Sequence, residues 1–86
     1  MRFRQLDGFK DDYKKLLPEE QALLDKALEF LARDPRYPSL LIKRLEGYRE
    51  VWEARASREL RFTFTWVDDI ITLRAVGHHD DVLRSP

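Results

Sequence analysis

A chain of 86 residues can build one modest hydrophobic core and not two, so residues 1–86 read as a single domain. Its composition, 43% hydrophobic and 37% charged, is that of a globular protein; sixteen basic and sixteen acidic residues cancel, so no overall field draws it toward nucleic acid. Cysteine is absent, which excludes disulfides and thiolate zinc sites, and no apolar run approaches membrane-spanning length. The opening MRFRQLDGFK lacks the apolar stretch of an export signal, so the expectation is a cytoplasmic protein with no membrane partner.

In chain order, Arg2 to Leu6 alternates weakly and predicts a short edge strand leading into Asp7-Gly8. Phe9, Tyr13, Leu16 and Leu17 recur at helical spacing until Pro18. That proline suits the first turn of a second helix, where Glu19 and Glu20 complement the positive end. Leu24, Ala27, Leu28 and Leu31 form its apolar stripe, widened by Leu23 and Phe30, and Asp34-Pro35 ends it. From Arg36 to Gly47 a connector follows, with Leu40, Leu41, Ile42 and Leu45 expected to be partly buried and Lys43, Arg44 and Arg49 exposed.

The stretch Tyr48 to Leu83 organises the rest. Its three apolar/polar alternations, separated by short polar breaks, predict an antiparallel meander with one buried face. Taking Asp68-Asp69 as a two-residue turn pairs Val67 with Ile70, Trp66 with Ile71, Phe64 with Leu73 and Phe62 with Ala75. The same register sets Thr65 against Thr72, Thr63 against Arg74 and Arg61 against Val76. With Ser57-Arg58-Glu59 as the preceding loop, Ala56 meets Leu60, Ala54 meets Phe62 and Trp52 meets Phe64. Arg55 then opposes Arg61, and Glu53 opposes Thr63. Trp52 and Trp66 fall on the apolar face and are expected in the core. The predicted class is α+β: an N-terminal helical hairpin packed on one face of a small antiparallel sheet, with a short segment after the last strand.

The opposite face carries Glu53, Arg55, Arg61, Thr63, Thr65, Thr72 and Arg74, with Gly77-His78-His79-Asp80-Asp81 leaving the sheet just beyond. It is the candidate working surface, expected to lie open to solvent or to a partner. Because Arg55 and Arg61 face each other, Arg61→Ala is expected to cost little stability. A metal site built from His78, His79, Asp80 and Asp81 is disfavoured, because adjacent residues of an extended segment point in opposite directions. The bland account of the same residues is a solvated salt-bridge network with histidines closing the sheet end.

The helix LPEEQALLDKALEFLARDP, the connector RYPSLLIKRLEGYREVWEARAS, the strand LRFTFTW and the ending VGHHDDVLR together resemble the RelE/ParE superfamily of toxins from bacterial type II toxin–antitoxin systems. The resemblance implies a small protein held inactive by a cognate antitoxin, whose acidic, partly disordered segment folds on the toxin. Its RelE-like branch implies metal-independent, ribosome-dependent cleavage of mRNA with no cofactor. Its ParE branch implies inhibition of DNA gyrase instead, and an inactive member would bind antitoxin alone. GHHDDVL is most similar to the ending of YafQ-type ribonucleases, which assigns a catalytic role to His79. Arg61, in LRFTF, matches the strand arginine that contacts the scissile phosphate.

Such cleavage needs a base for the 2′-hydroxyl, cations around the phosphorane and an acid for the leaving 5′-oxygen. His79 with Arg61 and Arg55 supplies the minimum, and Glu53 acts as base or orients an arginine. Lys43, Arg44, Arg74 and His78 are further candidate RNA contacts. Leu83 stands where these ribonucleases often place a tyrosine or phenylalanine near the base. The lysines of the RelE active strand have no counterpart in Val51 to Ala54.

Overall fold

The computed structural model describes residues 1–86. Strand β1 (Arg2–Gln5) leads into helices α1 (Asp7–Lys15) and α2 (Pro18–Arg33). A short 3-10 turn (Pro38–Leu40) and strand β2 (Lys43–Arg44) precede the meander β3 (Val51–Arg55), β4 (Leu60–Val67) and β5 (Ile70–His78), and helix α3 (His79–Arg84) follows. The order across the sheet is β1-β5-β4-β3-β2.

Each helix boundary has a local cause. Asp7 sits in the first turn of α1 and Lys14 and Lys15 in its last, matching the helix dipole. Pro18 opens α2, whose first turn is secured by the Glu20 carboxylate accepting the Leu17 backbone N–H at 2.9 Å. The α1–α2 hairpin is pinned by the Tyr13 hydroxyl, which donates to the Asp25 carboxylate at 3.0 Å. Phe9, Leu24, Ala27 and Leu31 face the sheet and close over Ala54, Leu60, Phe62, Phe64, Ile71, Leu73 and Val76.

Leu24 is completely buried, whereas Leu28 is only partly so. Leu24→Ala should therefore cost about 2–5 kcal/mol and Leu28→Ala distinctly less, which denaturant melts of the two variants would show. Leu23 departs from the expected stripe and is exposed.

The sheet is mixed, which corrects the all-antiparallel expectation. Strand β1 pairs parallel to β5, Arg2 opposite Ile70 and Gln5 opposite Leu73. The two helices carry the chain across one face between β1 and the meander, and such a crossover permits a parallel edge.

The β3–β4 register is as predicted, from Trp52 opposite Phe64 to Arg55 opposite Arg61. The β4–β5 register holds from the Asp68-Asp69 turn to Phe64 opposite Leu73 and then shifts. Thr63 opposes Ala75, Phe62 opposes Val76 and Arg61 opposes Gly77, so Arg74 is the extra residue of a β-bulge. The bulge delivers Val76, and not the smaller Ala75, into the core against Phe62. The Val76 N–H donates to the Asp12 carboxylate of α1 at 3.2 Å.

The connector differs from expectation at one residue. Leu40 and Leu45 are buried, but Leu41 is 55% exposed and adopts a left-handed backbone with φ 45° and ψ 49°. For a branched aliphatic residue this conformation costs about 1–2 kcal/mol. Trp66 likewise lies at the surface, its indole N–H donating to the Asp68 carbonyl at 3.1 Å, while Trp52 packs against the core.

Candidate active site

The face turned away from the helices is not the open surface that alternation predicts. Glu53 is 1% exposed, Thr63 0% and Arg61 8%. Polar residues this deep stay because they hold one another. Arg61 Nη1 donates to Glu53 Oε1 at 3.2 Å, and Arg61 Nη2 donates to the Arg58 carbonyl at 3.2 Å. From β2, Lys43 Nζ stands 3.7 Å from the same Glu53 oxygen, with its own side chain mostly exposed. The carboxylate thus anchors one buried and one exposed cation.

Four buried polar side-chain atoms in the chain have no hydrogen-bond partner: Glu53 Oε2, Arg61 Nε, Thr63 Oγ1 and His79 Nδ1. Three come from one face of the β3–β4 pair, in adjoining register positions. The fourth belongs to the first residue of α3. Unpartnered buried groups are rare in proteins and costly, about 1–3 kcal/mol each.

The backbone of the β3–β4 turn sets both candidate catalytic residues. The Arg58 carbonyl receives the Arg61 guanidinium, and the neighbouring Glu59 carbonyl accepts the His79 N–H at 3.1 Å. Helix α3 then folds back over the Gly77 end of β5, where Val82 is buried and a methyl at Gly77 would lie 3.6 Å from it.

The remaining candidates are distributed elsewhere. Arg55 opposes Arg61 across the ladder, borders a cavity together with residues of α2 and forms no ion pair. Arg44 pairs with Trp52 and lays its guanidinium over that ring at 5.8 Å. Arg74, ejected by the bulge, donates from Nε to the Pro86 carbonyl at 3.3 Å, so it does not oppose Thr63 as expected. Leu83 is exposed on α3. Thr63, set by alternation on the candidate working face with Arg61, carries no individual role in the sequence reading, yet it is completely buried beside the pair's register positions.

His78 and His79 separate to different surroundings. The bulge sets His78 opposite Leu60, and its Nε2 meets Glu20 Oε2 at 2.9 Å. The Leu17 N–H and then His78 hold the Glu20 carboxyl below its ordinary 4.5, and the Glu20 hydrogen bond raises His78 above 6.5. The raised histidine stabilises the fold below its unfolded pKa and loses that contribution as pH rises through its folded value. The lowered carboxylate stabilises above its unfolded pKa and loses its contribution as pH falls through its folded value. The pair is therefore most effective between those two ranges. His78→Gln is expected to lower Tm at about pH 5.5 and to leave it unchanged at about pH 8; thermal melts at both values check this.

No group of three or more carboxylate or imidazole side chains converges to hold a metal ion. No helix is long and apolar enough to cross a membrane.

No protein-family model matches the chain, and no curated protein matches its sequence. Solved structures do. A copper-bound mutant toxin from Helicobacter pylori superposes with a TM-score of 0.80 at 20% identity, over 95% of this chain and 98% of that one. YafQ from E. coli superposes with a TM-score of 0.80 at 12% identity, with the same coverage. This is the fold of the RelE- and YafQ-type toxins. The RelE-type fold also appears in the RelB–RelE antitoxin–toxin complex from Methanococcus jannaschii, with a TM-score of 0.75 at 19% identity over 96% of this chain and 99% of that one. On that fold the present chain carries three of its four unpartnered polar atoms on the sheet face opposite the helical hairpin, and the fourth on α3.

Proposed function

We propose that this chain is the toxin of a type II toxin–antitoxin pair and cleaves ribosome-bound mRNA without a metal, so inhibiting translation. The observation that carries the reading is the buried Glu53–Arg61 pair, held by the Arg58 carbonyl and by Lys43 on the sheet face opposite the helices, with His79 hung from the same turn through the Glu59 carbonyl. Groups that served only stability would be satisfied or replaced by apolar ones. The RelE-type fold supports the same reading.

In this reaction a base takes the proton of the 2′-hydroxyl, and its oxygen attacks phosphorus. The bond to the 5′-oxygen breaks, leaving a 2′,3′-cyclic phosphate, and the departing oxygen receives a proton. Arg61 sets its guanidinium charge against the charge developing on the phosphoryl oxygens, an interaction strengthened away from bulk water. Glu53 is the anchor that holds Arg61 in place, and Lys43 adds a second cation at the rim. His79 moves a proton at one of the two oxygens. Arg55 acts at longer range, through its field.

The partner is a cognate antitoxin. Induced expression should arrest growth, and primer extension in a translating extract should reveal discrete, ribosome-dependent cuts. Loss of gyrase supercoiling with no mRNA cuts would overturn the nuclease and favour a ParE-like inhibitor. Absence of growth arrest altogether would leave an inactive antitoxin-binding member.

A further inference from the structure

We propose that a trough running from Trp66 over Leu41 to Arg58 is the docking surface for a partner-protein segment with apolar residues at one end and acidic residues at the other. The proposal deepens the toxin reading, on which it rests, by placing the antitoxin's grip outside the catalytic face. The trough joins two cavities of about 410 and 370 Å³ that share Leu41 as a common wall. One end is apolar, with Tyr37, Pro38, Ile42 and Trp66. The other adds Lys26, Arg55 and Arg58 above a floor that includes Phe30 and Leu40.

Charge selects the occupant. No carboxylate lines either cavity, in a chain with sixteen acidic residues, and neither Lys26, Arg36, Arg55 nor Arg58 forms an ion pair. Four large apolar side chains are exposed along the same trough: Leu23, Tyr37, Leu41 and Trp66. Cations beside exposed aliphatic surface complement an amphipathic acidic peptide. RNA is the poorer fit, because the Tyr37 ring is already stacked on Phe30 at 4.3 Å and the floor is largely aliphatic.

Of the three non-glycine residues with a left-handed backbone, Leu41, Glu50 and Asp68, Leu41 is the one that lines the trough. Leu41 is held left-handed while more than half exposed, a conformation that gains no core contact in return. Strain kept in a packed protein clusters where a ligand is clamped. The wall of the trough is also the turn whose Arg58 carbonyl holds Arg61. An occupant seated there touches the support of the catalytic arginine without entering the site.

The test uses the isotope-labelled full chain and a synthetic peptide of about fifteen residues, leucine-rich in its first half and glutamate-rich in its second. NMR shifts should centre on Leu23, Lys26, Leu41, Arg58 and Trp66. Leu41→Gly should weaken binding about tenfold or more while Tm stays level or rises, since glycine removes the left-handed strain. Lys26→Glu, on the exposed side of α2, should weaken it comparably, and added salt should weaken it further. The proposal is overturned by absence of binding, by shifts centred on Thr65 and Thr72, by unchanged affinity in both variants, or by displacement of the peptide by single-stranded RNA. Binding at the trough by a chain that makes no mRNA cuts would leave the docking surface standing and remove the nuclease.

Discussion

Arg61→Ala is expected to cost about 3–5 kcal/mol, because it strands the Glu53 carboxylate at 1% exposure with only the exposed Lys43 at 3.7 Å. That is a large share of the roughly 5–15 kcal/mol that holds a small domain together, and Tm should fall by more than about 10 °C. The expectation reverses the one drawn from the ladder alone, where removing Arg61 relieves its opposition to Arg55. Any relief of that opposition is outweighed by the buried carboxylate left behind. Replacing the pair together, as Glu53→Leu with Arg61→Met, should recover most of the loss, since apolar side chains of similar volume leave no buried charge. If the single alanine variant melts with the wild type, the pair is hydrated and its part in holding the site is wrong. Because the alanine change endangers the fold, Arg61→Lys is the better probe of phosphate contact: it keeps a charge and gives up the planar fork.

His79→Gln is expected to reduce the rate of mRNA cutting by about 10²–10⁴-fold, the usual loss when a general acid or base is removed. Glutamine can donate and accept hydrogen bonds but cannot transfer a proton. The link from the 79 backbone N–H to the Glu59 carbonyl survives the change, so Tm and antitoxin binding should be retained. Primer extension with matched amounts of the two proteins gives the rates. Cutting at the wild-type rate would remove His79 from the chemistry, and the neighbouring His78, engaged with Glu20 on the helical side, would not replace it.

What was legible in the sequence follows from where the physics is local. Pro18, Pro35 and the spacing of Leu24, Ala27 and Leu31 mark the second helix because each acts within a turn or two. Both hairpin turns were legible because slipping either register mixes apolar with polar residues. The bulge at Arg74 was hidden, since a single arginine after Leu73 continues a polar/apolar alternation. The adjacent small pair Ala75-Val76 was the only trace of the changed phase. Pairing direction is likewise not local, so β1 gave no sign of running parallel to β5.

The polar face of the sheet was legible in membership and not in depth. Alternation reports which side of a strand a residue takes, and it correctly groups Glu53, Arg61 and Thr63. It weighs each side chain singly, so charged residues are assigned to solvent. Burial here is a property of a pair, Glu53 with Arg61, aided by the turn carbonyls and by the return of α3 over Gly77. None of those partners is visible in any one residue's hydropathy.

The turn at Ser57-Arg58-Glu59 supports Arg61 and His79 through carbonyl oxygens, which every amino acid possesses. Substitutions at 58 and 59 can therefore drift freely as far as these two supports are concerned, whereas adding or removing one residue would misplace both oxygens together. The imprint such a turn leaves on evolving sequences is a constant length and not a constant spelling. With its backbone committed to one task, the Arg58 side chain is free to answer to a different pressure at the surface outside. One short turn can thus be inherited as a ruler in its backbone and rewritten freely in its side chains.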